Sequence, residues 1–370
     1  TVSITMVLSM RRYNDELYNV NERSTMYSKL AELDSKVRQN YFGEIDEATL
    51  LDGLARGYVA GLGDQYSSYF TAEQYTKMSN NLNGKTVGIG VKTTEYTDGN
   101  LYVHHIVSGT PAESAGIQVG DVITTIDGKS VKDMGASKAE DALIGDEGSK
   151  ITLSVDRGGE TFDFEIVRVR YDNQTVFSQQ LGSVGYIQVE QFNDTTGEQF
   201  IAAVDHLVSG GVTGLIFDVR DNPGGTLESV SQALDHLLPA GPIVSSTDKD
   251  GNTKILYESD EEGISLPMVV LVNGQSASAA ELFACALRDY DLAKLVGVTT
   301  YGKGSMQKFF ALDDGSGIDI TVAKFNPPKS ENFEGVGLEP DYKVELSGTN
   351  QNIYLLTDET DTQLQAAMSL

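Results

Sequence analysis

Cysteine is nearly absent. Cys285 stands alone in 370 residues, which excludes an internal disulfide framework and any metal cluster built on thiolates. Histidine is scarce as well: His104, His105, His206 and His236 leave little material for a His-rich metal site, and no metal or other cofactor is expected. Positive charge is in deficit. With 27 basic against 54 acidic side chains the formal net charge is −27, which repels phosphate backbones and anionic membrane surfaces and removes nucleic acid from the expected partners. Long apolar runs are missing too, since no stretch approaches 18 consecutive apolar residues. Thr1 to Met10 is uncharged and runs into Arg11-Arg12. It reads either as the first turns of a soluble helix or as the trimmed end of a signal or membrane-anchor segment.

What is present is a folded globular composition, 40% hydrophobic and 22% charged, of two to three domains' length. From Tyr13 to about Asn80 the pattern is helical: Leu30, Leu33 and Val37 recur at three and four, then Leu50, Leu51, Leu54 and Val59, with Gly61, Gly63 and Asp64 as a break. After Gly84 short β runs take over, at Val87–Val91, Leu101–Val107, Val122–Ile126, Ile151–Val155 and Phe162–Val169. From Val184 strands alternate with helices. Strands are expected at 184–187, 214–219 and 267–272, and helices at 196–208, 226–238 and 279–289, which implies an α/β fold with a largely parallel sheet. A last helix is expected from Asp361.

The run from Thr110 to Gly128 is dense in positional logic. Pro111 suits a first helical turn, Gly116 a left-handed helix end, and Asp127-Gly128 a tight turn between strands. This run resembles a PDZ domain of the circularly arranged bacterial kind. The resemblance implies binding of an extended peptide by strand addition, with capture of its terminal carboxylate on backbone N–H groups. The carboxylate loop is then Val87-Gly88-Ile89-Gly90, and Ile89, Val91 and Leu143 line the apolar pocket. Relatives often carry an arginine just before a later glycine; here that stretch reads Leu143-Ile144-Gly145.

Three stretches of the α/β half have the texture of chemistry. Asp218-Val219-Arg220-Asp221-Asn222-Pro223-Gly224-Gly225 follows a buried strand, and its two glycines let backbone N–H groups face a ligand; it is also an ordinary strand-to-helix turn. Ser276-Ala277-Ser278-Ala279-Ala280-Glu281 opens a helix with a serine among small residues, where the helix dipole favours an oxyanion. Ser278 and Glu281 are also spaced as a capping box, a purely structural device. Tyr301-Gly302-Lys303-Gly304-Ser305-Met306-Gln307 sets a lysine between glycines. As a base that lysine must be neutral, and lowering its pKa from about 10.4 to about 7.5 costs roughly 4 kcal/mol of desolvation.

In this order, after a PDZ-like insert, these stretches resemble the C-terminal processing peptidases, or tail-specific proteases, over nearly the whole chain. Asp64-Gln65-Tyr66-Ser67-Ser68-Tyr69-Phe70, Gly335-Val336-Gly337-Leu338-Glu339-Pro340-Asp341 and Asp361-Thr362-Gln363-Leu364 share in it. The resemblance implies Ser278 as nucleophile, Lys303, 25 residues on, as general base, and Gln307 as the group that holds the lysine. It implies oxyanion donors at the N–H of Ala279 and of Gly225, with Gly224 as the alternative. It implies a crotonase-like protease core at 171–345, an inserted PDZ domain at 84–170, helical segments at 1–83 and 346–370, protein or peptide substrates, and an extracytoplasmic place in the envelope or secreted. A homodimer built from the N-terminal helices and the C-terminal helix around Leu364 is also expected. Two other readings stay open on the residues: a non-catalytic PDZ scaffold, and a hydratase on the same core. The histidines and Cys285 read as structural.

Overall fold

The computed structural model describes residues 2–260, 263–348 and 351–370, with side chains from residue 20 onward. The side chains of the expected anchor remnant, residues 1–10, lie outside the described residues. Among the described residues no helix is long and apolar enough to cross a membrane. Two compact units form, Thr1–Gly61 and Leu62–Leu370. The first holds helices Val2–Asn40 and Glu47–Ala60. Asp46 starts the second of these by accepting from the N–H groups of Ala48 and Thr49. Arg38 forks onto the Glu47 carboxylate at 2.6 and 2.9 Å across the turn.

The larger unit opens with a departure from the helical pattern. Ser68–Phe70 is a strand, because Gly63 turns the chain at φ 70° and the next residues pair with Gly317–Asn326. A helix, Ala72–Leu82, follows behind a capping box of Thr71 and Gln74. The module after it is a sheet in the spatial order Val91–Glu95, Leu101–Ile106, Val122–Ile126, Lys150–Arg157, Glu160–Val167. Its own core includes Leu101, Val103, Ile123, Ile151 and Val155, all fully buried. The chain enters through Lys85–Gly88 and leaves through Val169–Asp172, and these two segments pair antiparallel. Entry and exit are therefore one two-stranded ribbon.

The expected parallel sheet is present. Val184–Val189, Gly214–Asp218, Met268–Val272, Ala293–Gly297 and Tyr342–Lys343 run parallel, and Val176–Leu181 is added antiparallel at one edge. Helices Thr196–Ser209, Leu227–Leu237 and Ala279–Asp289 share one core with it, around Phe200, Phe217 and Phe283, whose rings meet at 5.3–5.6 Å between centroids. The tail helix Thr362–Met368 packs Leu364 and Ala367 with Ile216, Val269, Leu271 and Val296 in a second cluster. This corrects one expectation: the apolar face around Leu364 is spent within the chain's own fold and is not free for a partner.

Unexpected from the sequence is a second, antiparallel sheet. It joins Ser68–Phe70, Gly317–Asn326, Gly241–Asp248 and Thr253–Ser259, with Ser305–Ala311 also paired to Gly317–Asn326. The stretch that begins at Ser305, beside Lys303, is therefore a strand rather than a loop.

Candidate active site

Two neighbouring parallel strands, Gly214–Asp218 and Met268–Val272, end side by side, and the loops that follow them are tied together. Asn273 donates its side-chain amide to Asp221 and accepts from Asp221 N, and Ala277 N donates to the Asn222 carbonyl at 3.0 Å. Asn222 is fully buried, donating to the Val189 carbonyl and accepting from Gly224 N at 2.8 Å. Both glycines are required. A Cβ on Gly225 would lie 1.9 Å from the Phe192 carbonyl oxygen, and one on Gly224 would lie 2.9 Å from both Ala279 N and Ser278 Cβ. The glycine loop thus lies against Ser278. Gly224 N is taken by Asn222, whereas Gly225 N and Ala279 N donate to no side chain or loop carbonyl among the described residues.

The two serines are in different situations. Ser276 is fully buried; its hydroxyl donates to the Val219 carbonyl at 2.7 Å and accepts from Asn273 N at 3.0 Å. Ser278 is half-buried and caps helix Ala279–Asp289 at φ 57°, ψ −114°, a backbone conformation that costs a non-glycine residue about 1–3 kcal/mol. Its hydroxyl donates to no group among the described residues; its oxygen faces the Glu281 N–H in a capping box with that residue.

Glu281 joins this serine to the lysine. Its buried carboxylate accepts from Ser278 N at 2.9 Å, Thr300 Oγ1 at 2.5 Å, Gly302 N at 2.7 Å and Lys303 N at 2.8 Å. Burial pushes the carboxyl pKa up, and these four bonds hold it back. The lysine loop is braced from behind: Gly335 N donates to the Gly302 carbonyl and Leu338 N to Thr300 Oγ1. That accounts for the Gly335–Leu338 stretch. The Asp361 stretch has its own task. Arg220, only 2% exposed, spans Asp218 at 2.5 Å and Asp361 at 2.7 Å, and donates to Gln363 at 3.0 Å, locking the tail to the glycine loop.

Burial lowers the Lys303 pKa from its ordinary value, against the pull of Asp319, Glu334, Asp64 and Glu281. Its ammonium lies 5.0 Å from the Tyr66 ring centre. Asp319 is pushed up to about 6 by burial, with Lys303 opposing and Asp64 adding to the rise, and its Oδ1 is buried without a hydrogen-bond partner among the described residues. Removing that negative charge disfavours the ammonium. Asp319→Asn is therefore expected to move the acid limb of kcat/KM to lower pH; a limb that stays or rises would show that Asp319 does not act on Lys303.

No hydrogen bond among the described residues joins Lys303 to Ser278 or to Gln307. The Gln307 amide instead donates to Ser305 Oγ at 3.1 Å and Thr321 Oγ1 at 3.0 Å. Sequence reasoning missed Thr321, Asp319 and Glu334, and assigned Glu281 no more than a cap. Three of the four histidines are engaged elsewhere: His104 stacks on Tyr354, His105 meets Phe177, and His236 pairs with Asp205. Cys285 is buried in the core, as expected.

In the 84–170 module, Ile89 and Leu143 are buried in its core and Val91 packs on them. Gly90 takes φ 93°, where a Cβ would collide with Thr110. Burial pushes the Tyr171 hydroxyl up to about 12, with a bond from Gly90 N–H opposing, so this tyrosine sits at the expected carboxylate loop. A guanidinium does lie beside Gly145, but it comes from Arg168, which donates to the Leu143 and Ala142 carbonyls.

A serine at a strained helix start, glycines pressed against it and a half-buried lysine fit a serine-type peptidase, and the sequence relatives agree. Residues 183–344 match the family model for peptidase family S41, and residues 87–167 match that for a PDZ domain. The carboxy-terminal processing protease CtpA of Bacillus subtilis is 33% identical over 337 residues, covering 90% of this chain and 72% of that protein. A CtpA-like serine protease of Staphylococcus aureus is 32% identical over 353 residues, covering 93% of this chain and 71% of that protein. The solved photosystem II D1 C-terminal processing protease superposes with a TM-score of 0.51 at 27% identity, over 85% of this chain and 86% of that one. The chain belongs to the S41 carboxy-terminal processing proteases, with a PDZ domain and a mixed α/β peptidase fold. This sets aside the non-catalytic scaffold and the hydratase.

Proposed function

We propose that the chain cleaves proteins or precursors at or near their C-terminal regions with a Ser278–Lys303 dyad on a crotonase-like core. The observation that carries the reading is Glu281, whose one carboxylate holds the backbone of both Ser278 and Lys303. In this mechanism Lys303, whose pKa is lowered by burial, acts in its neutral form and takes the Ser278 proton as Oγ attacks the scissile carbonyl. The oxyanion forms against Ala279 N–H and Gly225 N–H at the start of helix Ala279–Asp289. Lys303 then protonates the leaving amine, water hydrolyses the acyl-enzyme, and Gln307 keeps the lysine in place. No metal or other cofactor enters these steps. The 84–170 module recognises peptide C-termini through residues 87–91 and Leu143, in keeping with PDZ domains generally. Incubation with denatured casein beside a Ser278→Ala control tests the reading: fragments from the wild type alone support it, and fragments from both preparations overturn it.

The protein is further read as an extracytoplasmic homodimer through its N-terminal unit, where Leu33 is 54% and Leu51 63% exposed. Sedimentation at micromolar concentration is expected to give about twice the 39.9 kDa chain mass. A monomer there overturns the dimer.

A further inference from the structure

Gln307 is held by groups that the dyad itself does not use. Three strands lie side by side, with Ser68–Phe70 paired to Gly317–Asn326 and the latter to Ser305–Ala311. Gln307 stands opposite Thr321, just past a register shift between Met306 and Gln307. Such a shift re-aims the side chain that follows it. Thr321 Oγ1 donates to Asp64 Oδ2 at 2.6 Å and accepts from Gln307 Nε2 at 3.0 Å. Ser67 Oγ donates to the same Asp64 oxygen at 2.5 Å and accepts from Thr321 N at 3.2 Å. We propose that Thr321, anchored by Asp64, is a positioning residue that fixes the Gln307 amide with its oxygen as the acceptor for Lys303. The proposal rests on the reading of Gln307 as the lysine's partner.

The argument is one of donors and acceptors. Burial raises the Asp64 pKa, but the bonds from Ser67, Thr321 and the backbone of Tyr66 and Ser67 outweigh it, so the group is a carboxylate and only accepts. Thr321 must then spend its one hydrogen on Asp64, which leaves its lone pairs for Gln307. Gln307 can meet a lone pair only with Nε2, and Ser305 Oγ takes that nitrogen's other hydrogen at 3.1 Å. With both N–H donors spent, Oε1 is the polar atom left to Lys303. Were the amide reversed, it would present donors to a lysine that is itself a donor. The relay therefore sets the sign of the contact. Thr321 is exposed on a groove of about 630 Å³ that Asp64, Tyr66, Ser305 and Glu334 also line, so a substitution there does not enter the core.

The test is the pH profile of kcat and kcat/KM on an internally quenched peptide that the wild type cleaves, with melting curves as a control for folding. Thr321→Val keeps the shape and removes the hydroxyl. It is expected to lower kcat at least about tenfold with KM within about twofold, since the loss falls on the chemical step. The acid limb is expected at lower pH, because an acceptor lost from Lys303 no longer favours the ammonium. Thr321→Ser is expected to recover both rate and limb, Asp64→Asn to resemble Thr321→Val, and Thr321→Val added to Gln307→Ala to cost nothing more than Gln307→Ala alone. If Gln307→Ala is impaired while Thr321→Val matches the wild type, the relay is wrong and the dyad reading stands. A rate loss in Thr321→Val with an unmoved limb and no recovery by serine would make its role merely structural and overturn the relay. If Gln307→Ala itself keeps the wild-type rate and limb, the reading beneath the relay falls, and the relay with it.

Discussion

Ser278→Ala is expected to lower kcat/KM by on the order of 10⁵-fold or more, because removal of a covalent nucleophile leaves only binding and the oxyanion site to act. Ser276→Ala, two residues away, is expected to keep activity within about tenfold. The Ser276 hydroxyl is already committed to the Val219 carbonyl and Asn273 N and is fully buried, so it cannot reach a substrate. Its loss leaves Asn273 N without that partner and the Val219 carbonyl with only the 3.4 Å bond from Asn222 N, at a cost of about 1–3 kcal/mol in stability. The two variants therefore separate by assay: one is folded and inactive, the other active and less stable. Equal loss of activity from both would show that the nucleophile is misassigned.

Arg220→Met is expected to destabilise the protein by about 3–5 kcal/mol, because it leaves Asp218 and Asp361 buried, charged and facing each other. For a unit of this size that is a fall in Tm on the order of 10 °C. Arg220→Lys is expected to restore little, since one ammonium cannot fork onto two carboxylates and also reach Gln363. Activity is expected to fall with stability, because Arg220 sits in the loop that carries Gly224 and Gly225. Urea unfolding measures the first effect and peptide cleavage the second. A variant within 1 kcal/mol of the wild type would show that the tail is not clamped through this residue.

How far the sequence could be read follows from the range over which each residue acts. The parallel sheet and its helices were legible because their hydrophobic period is local: Leu215-Ile216-Phe217 and Met268–Val272 are continuous apolar runs, and Leu227–Leu237 and Ala279–Asp289 carry helical spacing. The antiparallel sheet was missed, although Ile318, Ile320 and Val322 alternate with Asp319 and Thr321 behind an Asp313-Asp314-Gly315-Ser316 turn. That alternation is the signal that could have found it. Its polar phase carries the two residues of the strand that bear on Lys303 and Gln307. Glu281 was hidden differently: a capping box explains Ser278 and Glu281 completely over three residues, and only the fold brings Gly302 and Lys303 to the same carboxylate. Arg220 and Asp361 lie 141 residues apart, so their pairing had no local trace.

The central claim is that Ser278 is made nucleophilic by a neutral Lys303. A fluorophosphonate, which phosphonylates activated serines with loss of fluoride, tests it directly, with the modified peptide identified by mass spectrometry across a pH series. The account predicts labelling on Ser278 alone, rising with pH through a single limb below the ordinary lysine value, and lost in a folded Lys303→Met variant. Labelling on Ser276, or undiminished labelling of Ser278 in Lys303→Met, would contradict it.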